Sequence, residues 1–129
     1  MKKVICFGTF DIIHKGHLHM FKQAKKYGDY LVVIVGRDKT VTAIKGKKPT
    51  NSEKIRLQNI KKIKIIDKAR LGYLDDKYRV VGEEKPEIVA IGYDQRTFID
   101  NLENVLEDHV EIVRLSPYKP EIYKSSKML

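Results

Sequence analysis

The chain has 129 residues, 42% apolar and 33% charged, which excludes a disordered chain and leaves material for one ordinary core, a single domain spanning 1–129. Its 26 Lys and Arg outweigh 17 Asp and Glu, and a formal charge of +9 suits a polyanionic ligand: phosphates, nucleic acid or a membrane surface. The single cysteine, Cys6, excludes an intramolecular disulfide framework and a multi-cysteine zinc site.

The first element is a strand, Val4 to Phe7, ending at Gly8. Its apolar start imitates a signal peptide only briefly, because Gly8, Thr9 and Asp11 break the run before a cleavage site can form. A helix follows, with Leu18, Phe21 and Ala24 joined by Met20 and Tyr27 on one apolar stripe before Gly28. Tyr30 to Val35 is the second strand and ends at Gly36; even its apolar stretch falls far short of the ~18 residues that span a bilayer. The expectation is a soluble, cytoplasmic protein with no membrane partner.

Leu57, Ile60 and Ile63 mark a second helix, with Thr50 and Glu53 spaced as a capping box at its start. Ile65 to Leu71, ending at Gly72, carries three charges and is the poorest strand. A short helix over Asp75 to Glu84 precedes Pro86, and a fully apolar strand, Ile88 to Ile91, ends at Gly92. Phe98, Leu102, Val105 and Leu106 stripe another helix, with Thr97 as its cap. Val110 to Leu115 is the last strand, stopped by Ser116-Pro117.

Short Val- and Ile-rich runs alternating with helices predict an α/β fold, a Rossmann-like doubly wound sheet of about five parallel strands with helices on both faces. Such sheets bind ligands beyond the carboxyl ends of their strands, where this chain places its glycines. Two common phosphate-binding devices are absent. Gly46-Lys47-Lys48 has neither the upstream glycine nor the following Ser or Thr of a P-loop, and no G-x-G occurs anywhere.

The first strand instead runs into Gly8-Thr9-Phe10-Asp11-Ile12-Ile13-His14-Lys15-Gly16-His17. Gly16 allows a close turn, and His17 falls in the first turn of the helix, beside its unsatisfied amides. Both imidazoles titrate near ~6.5 when unperturbed, so either can donate to a phosphate oxygen or carry positive charge. A pair of surface histidines on a turn is the alternative for H-x-x-H alone; the preceding G-T-F-D and the strand-loop-helix setting favour a functional pair.

This stretch resembles the G-T-F-D-x-x-H-x-G-H signature of the cytidylyltransferase-like nucleotidyltransferases, which join a nucleoside monophosphate to a phosphate-bearing acceptor and release pyrophosphate. The likeness continues through residues 28–33, Arg37-Asp38, Lys45 to Pro49, Arg56, Ile66-Asp67, Gly92 to Gln95 and Lys124 to Lys127. It implies that His14 and His17 hold the triphosphate and stabilise the transition state, with Lys45 as a third catalytic group. It implies that the backbone of Gly8, Thr9 and Phe10, with Gly16, lines the phosphate pocket, and that Gly92, Asp94 and Gln95 hold the nucleoside. Ser125 and Ser126 match a motif that caps a helix over the β- and γ-phosphates. Asp38, Lys47, Lys48, Arg56 and Lys119 become possible acceptor or phosphate contacts. No direct protein ligand to a metal is implied; Mg2+ is expected on the triphosphate, and relatives commonly form homodimers.

Within the family the chain resembles archaeal-type FAD synthases in Lys45 to Pro49, Asp67 to Gly72 and Gly92 to Gln95, which points to ATP as nucleotide and FMN as acceptor. Glycerol-3-phosphate cytidylyltransferases, using CTP, are the alternative, as is another small phospho-alcohol; they typically carry tryptophan at the position of Lys15, and this chain has none. Two departures stand out. Lys119 occupies the neighbourhood of a family arginine and lacks its bidentate fork. The sequence ends three residues after Ser126, so the last helix reads as a stub or as cut short.

The remaining candidates read as ordinary structure. His19 and His109 fit exposed polar positions, Cys6 a buried small hydrophobe, and Lys61, Lys62 and Lys64 a solvated face. A non-catalytic RNA- or nucleotide-binding module is the rival class. It would need a contiguous basic face with interleaved aromatics, which the spread of charge along the chain does not supply, so no nucleic-acid partner is expected.

Overall fold

The computed structural model describes residues 2–74, 76, 78–92 and 109–116. Strands β1 (Lys3–Gly8), β2 (Tyr30–Val35), β3 (Lys68–Leu71), β4 (Ile88–Ile91) and β5 (Glu111–Arg114) form one sheet in the order β3-β2-β1-β4-β5. Every pairing is parallel. Helices α1 (Lys15–Lys26), α2 (Asp38–Lys45), α3 (Glu53–Lys61) and α4 (Arg79–Glu84) lie between the strands. The chain winds outward from β1 through β2 to β3, then returns past β1 to β4. The strand order therefore reverses between β1 and β4, and a crevice opens at their carboxyl ends.

The uninterrupted apolar strands are explained by burial on both faces. Val4 and Cys6 of β1 pack with Phe21 and Ala24 of α1 and Ile60 of α3. The alternate residues, Ile5 and Phe7, pack with Val80 and Val81 of α4 on the opposite face. Helices thus cover both faces of an all-parallel sheet, as the alternation of elements predicts. Burying a side chain such as Phe21 contributes about 1.5–3 kcal/mol. The α1 stripe closes on Phe21 and Ala24, while Leu18 and Tyr27 remain exposed.

Two local expectations are corrected, and one element was not foreseen. The third strand begins at Lys68, not Ile65: Ile66 N–H turns back to the Ile63 carbonyl, and Asp67 N–H donates to the Leu31 carbonyl before the ladder with β2 starts. The helix after Asn51 is capped by Ser52, whose hydroxyl accepts from Ile55 N–H; Thr50 instead donates its N–H to Asp11. Helix α2 is absent from the periodic pattern because Thr40, Val41 and Thr42 are weak helix formers. Its N-terminus, at Arg37, has no cap from its own side chain. Glu53 of α3 supplies one from outside, with Oε1 accepting Asp38 N–H at 2.9 Å and Oε2 pairing with Arg37 Nη1 at 2.8 Å.

Candidate active site

At the carboxyl end of β1 the chain reverses tightly. Gly8 carbonyl accepts Gly36 N–H at 3.0 Å, joining the ends of β1 and β2. Phe10 follows in the left-handed region (φ 53), an uncommon conformation for a bulky residue, and its ring folds back over Gly8. A Cβ at Gly8 would lie 2.5 Å from Phe10 Cζ, so only glycine leaves room there. The ring is buried, stacked obliquely on Phe21 at 5.2 Å and edge-on to His17 at 5.6 Å. Burial of Phe10 thus offsets the backbone strain and sets one wall for the histidine.

His14 is the N-cap of α1, in extended conformation (φ −138, ψ 179). Its Nδ1 accepts Gly16 N–H at 3.0 Å, and His17 Nδ1 accepts His14 N–H at 3.3 Å. The two rings close a reciprocal capping box, with centroids 4.0 Å apart. An imidazole that accepts at Nδ1 must, when neutral, carry its proton on Nε2. Both histidines therefore have Nε2–H as their donor.

Burial pushes the pKa of His14 down, and lowers that of His17 to about 4, with the charges of His14 and Lys45 adding to the effect. At neutral pH the pair consists of neutral hydrogen-bond donors, and not of the cations that unperturbed histidines allow. Two further expectations change. Gly16 lies within helix α1 without a positive φ, so it is not a turn glycine. The carbonyl of His14 also accepts from His17 N–H and Leu18 N–H, at 3.0 and 3.2 Å, so the helix amides expected to meet phosphate are largely engaged.

Lys45 is the last residue of α2, and its charge reaches His17 across the crevice. Gly46 ends the helix in the left-handed conformation (φ 78), donating to the Thr42 carbonyl, and turns the chain through Lys47 and Lys48. All three lysines are exposed, and Lys48 contributes to holding the Asp38 carboxyl down. Asp38 opens α2. The hydrogen bond from Arg56 is the largest cause of its lowered pKa.

Arg56, expected as a phosphate contact, faces inward. It has no solvent exposure, and Nε, Nη1 and Nη2 donate to the Asn51 carbonyl, the Thr9 carbonyl and Asp38 Oδ1 at 3.0, 2.8 and 2.7 Å. Asp11, which the signature contains without a stated role, accepts Thr50 N–H and Asn51 N–H on its two oxygens. Its neighbours in sequence gave the position but not the partners, which lie about forty residues away.

Across the switch point β4 is followed by Gly92, which is buried and whose carbonyl accepts Arg114 Nη1 at 3.2 Å. Arg114 was not among the expected site residues; being on the last strand, beside β4, is what brings it there. The structure thus places Gly8, Thr9, Phe10, His14, Gly16, His17 and Lys45 beyond the carboxyl ends of the central strands. Asp94, Gln95, Lys119, Ser125 and Ser126 lie outside the described residues, as does the helix expected over 97–106. Cys6 is buried in β1 with its thiol pushed up to about 12, an inert side chain. Among the described residues no helix is long and apolar enough to cross a membrane.

The cytidylyltransferase-like family model matches residues 5–128. The chain belongs to that family. It is a nucleotidyltransferase. Among curated relatives, FAD synthase from Thermoplasma volcanium is 42% identical over 99% of this chain and 92% of its own length. FAD synthases from Picrophilus torridus and Thermococcus sibiricus are each 38% identical, over 96% and 98% of this nucleotidyltransferase and 91% and 89% of their own lengths. A crystal structure described as a lipopolysaccharide core biosynthesis protein from Thermoplasma volcanium superposes with a TM-score of 0.82 at 43% identity. The match covers 92% of this chain and 98% of that one.

Proposed function

We propose that this nucleotidyltransferase is an FMN adenylyltransferase, joining the AMP portion of ATP to the phosphate of FMN with release of pyrophosphate. The observation that carries the choice of substrates is its likeness, at about 40% identity over nearly the whole chain, to several FAD synthases. The site chemistry is consistent with it. A phosphate monoester has its second pKa near ~6 and is mostly dianionic at neutral pH, so the acceptor needs no strong general base.

In the proposed reaction an FMN phosphate oxygen attacks the α-phosphorus in line. The new P–O bond forms as the bond from the α-phosphorus to the bridging oxygen breaks, and pyrophosphate leaves with the electron pair. The Nε2–H groups of His14 and His17 donate to the oxygens on which charge accumulates, and Lys45 neutralises the departing phosphates. An approaching triphosphate also raises the pKa of the histidines, strengthening them as donors. Gly8, Thr9, Phe10 and Gly16 form the floor of the phosphate pocket. Gly92, Asp94 and Gln95 hold the nucleoside, Ser125 and Ser126 the outer phosphates, and Lys47, Lys48 and Lys119 add positive charge.

The donors grouped here are ring N–H and ammonium groups, which suit phosphate oxygens and are poor ligands for a hard cation. A divalent ion such as Mg2+ would ride on the triphosphate and would supply charge neutralisation to the leaving group. The working unit we propose is a cytoplasmic homodimer.

A second reading keeps the site and changes the acceptor. The superposed structure is described as a lipopolysaccharide core biosynthesis protein, not a FAD synthase, and a CTP-dependent transfer to glycerol 3-phosphate or another small phospho-alcohol is the alternative. A pyrophosphate-release screen separates these readings, with ATP and CTP each crossed with FMN, glycerol 3-phosphate and a hexose phosphate. Release with ATP and FMN supports the proposal; release only with CTP, or only with the other acceptors, replaces it.

A further inference from the structure

Two polar groups with no part in the transfer step hold the segment that carries Lys45, Lys47 and Lys48. After the loop, Asp11 closes a clasp. Its Oδ2 accepts Thr50 N–H at 2.6 Å and its Oδ1 accepts Asn51 N–H at 2.7 Å. Asn51 Nδ2 returns a bond to the Asp11 carbonyl at 2.8 Å. Before the loop, Arg56 reaches out of α3 to Asp38, the first residue of α2, and also holds the Thr9 and Asn51 carbonyls. The signature loop, the start of α2 and the segment after the lysines are thus drawn to one buried guanidinium.

A buried charge is an inefficient source of stability, because desolvation consumes much of what its partners return. What this one does geometrically is fix both ends of the 38–51 segment to the loop that carries the histidines. Helix α2 is only eight residues long, so a shift at Asp38 is passed to Lys45 with little loss. We infer that Asp11 and Arg56 are positioning residues, which act through Asn51, Thr9 and Asp38 to hold the segment that carries Lys45 on the loop that carries His14 and His17. Neither needs to touch a reacting atom. Only the kinetic part of the test rests on the nucleotidyl-transfer reading.

Asp11→Asn keeps the side-chain volume but turns one oxygen into an NH2 group facing a backbone donor, which opens the clasp. Arg56→Lys keeps the charge but loses the fork that reaches three oxygens. The first readout is an NMR titration of the His17 ring, which needs no turnover. Lys45→Ala raises the His17 pKa by removing a neighbouring positive charge. Asp11→Asn and Arg56→Lys raise it in the same direction, and combining either with Lys45→Ala raises it no further than Lys45→Ala alone. The second readout is kinetic: turnover in Asp11→Asn falls about 10²-fold, with a much smaller change in KM, and Lys45→Ala adds little in that background.

A folded variant whose His17 titrates as in the parent overturns the inference, as does a rate loss that multiplies in full with that of Lys45→Ala. Circular dichroism establishes which variants fold, and either folded variant decides the question. If the parent protein forms no FAD the function reading fails, while the titration still decides the positioning.

Discussion

His17 concentrates the physics of the site in one side chain. Its Nδ1 is held by the His14 amide, its ring lies against Phe10, and its pKa is lowered to about 4 by burial and by the charges of His14 and Lys45. The ring is neutral in the native state and protonated in the unfolded chain below ~6.5, so the unfolded state binds the extra proton as pH falls from ~6.5 towards ~4. Stability should therefore drop across that window, and denaturant midpoints of the parent and His17→Gln should differ more at about pH 7 than at about pH 5. A difference independent of pH would mean that the ring is not depressed. Gly8 carries the second prediction at this scale. Gly8→Ala would push a Cβ into the Phe10 ring, itself wedged between Phe21 and His17. Overpacking of this kind costs about 1–3 kcal/mol, so Tm should fall, and turnover should fall with it because the His17 wall moves.

At the scale of elements, α2 and α4 show what packing adds to pattern. Helix α2 is capped in trans by Glu53, so Glu53→Ala should cost about 1–2 kcal/mol in denaturant unfolding, as loss of a cap does. Glu53→Gln, which keeps an acceptor for Asp38 N–H, should cost less; equal losses would show that the Arg37 ion pair matters more than the cap. On the other face Glu84 of α4 is nearly buried. Its Oε2 accepts from Lys68 at 2.8 Å and Arg70 at 2.9 Å, and Lys3 donates to its carbonyl at 2.9 Å. Burial works to raise its carboxyl, and the bonds from Lys68 and Arg70 overcome this and hold it below the ordinary range. Glu84→Ala should cost about 2 kcal/mol, less than the ~3–5 of stripping a fully buried pair, because the lysines are partly exposed and can turn to water.

The same elements show how far the sequence could be read. β1, β2 and β4 announce themselves as apolar runs ending in glycine, and α1 by its buried Phe21 and Ala24. Helix α2 does not, because its cap lies fifteen residues away on α3. Arg56 misleads for a similar reason. An arginine in a chain full of phosphate-binding signals reads as an anion contact, and only the fold brings the oxygens of Thr9, Asp38 and Asn51 around it. The histidine pair was legible in its position but not in its charge, since the desolvation that keeps it neutral is a property of the packed site.

For the whole molecule, the strand order β3-β2-β1-β4-β5 makes one crevice, and the signature places its histidines there. The formal +9 is thereby given a narrower meaning. Lys45, with Lys47 and Lys48 beside it, bears on the crevice, whereas Arg56, Lys3, Lys68 and Arg70 are tied up in holding the fold together. The proposed activity is transfer of AMP to FMN at the His14–His17 pair. Its most direct test is FAD formation from saturating ATP and FMN, measured by chromatography beside pyrophosphate release, for the parent and for His17→Ala. The parent should form equimolar FAD and pyrophosphate, and His17→Ala should lose about 10²–10³-fold while remaining folded. No FAD from the parent, or a near-parental rate in His17→Ala, would contradict it.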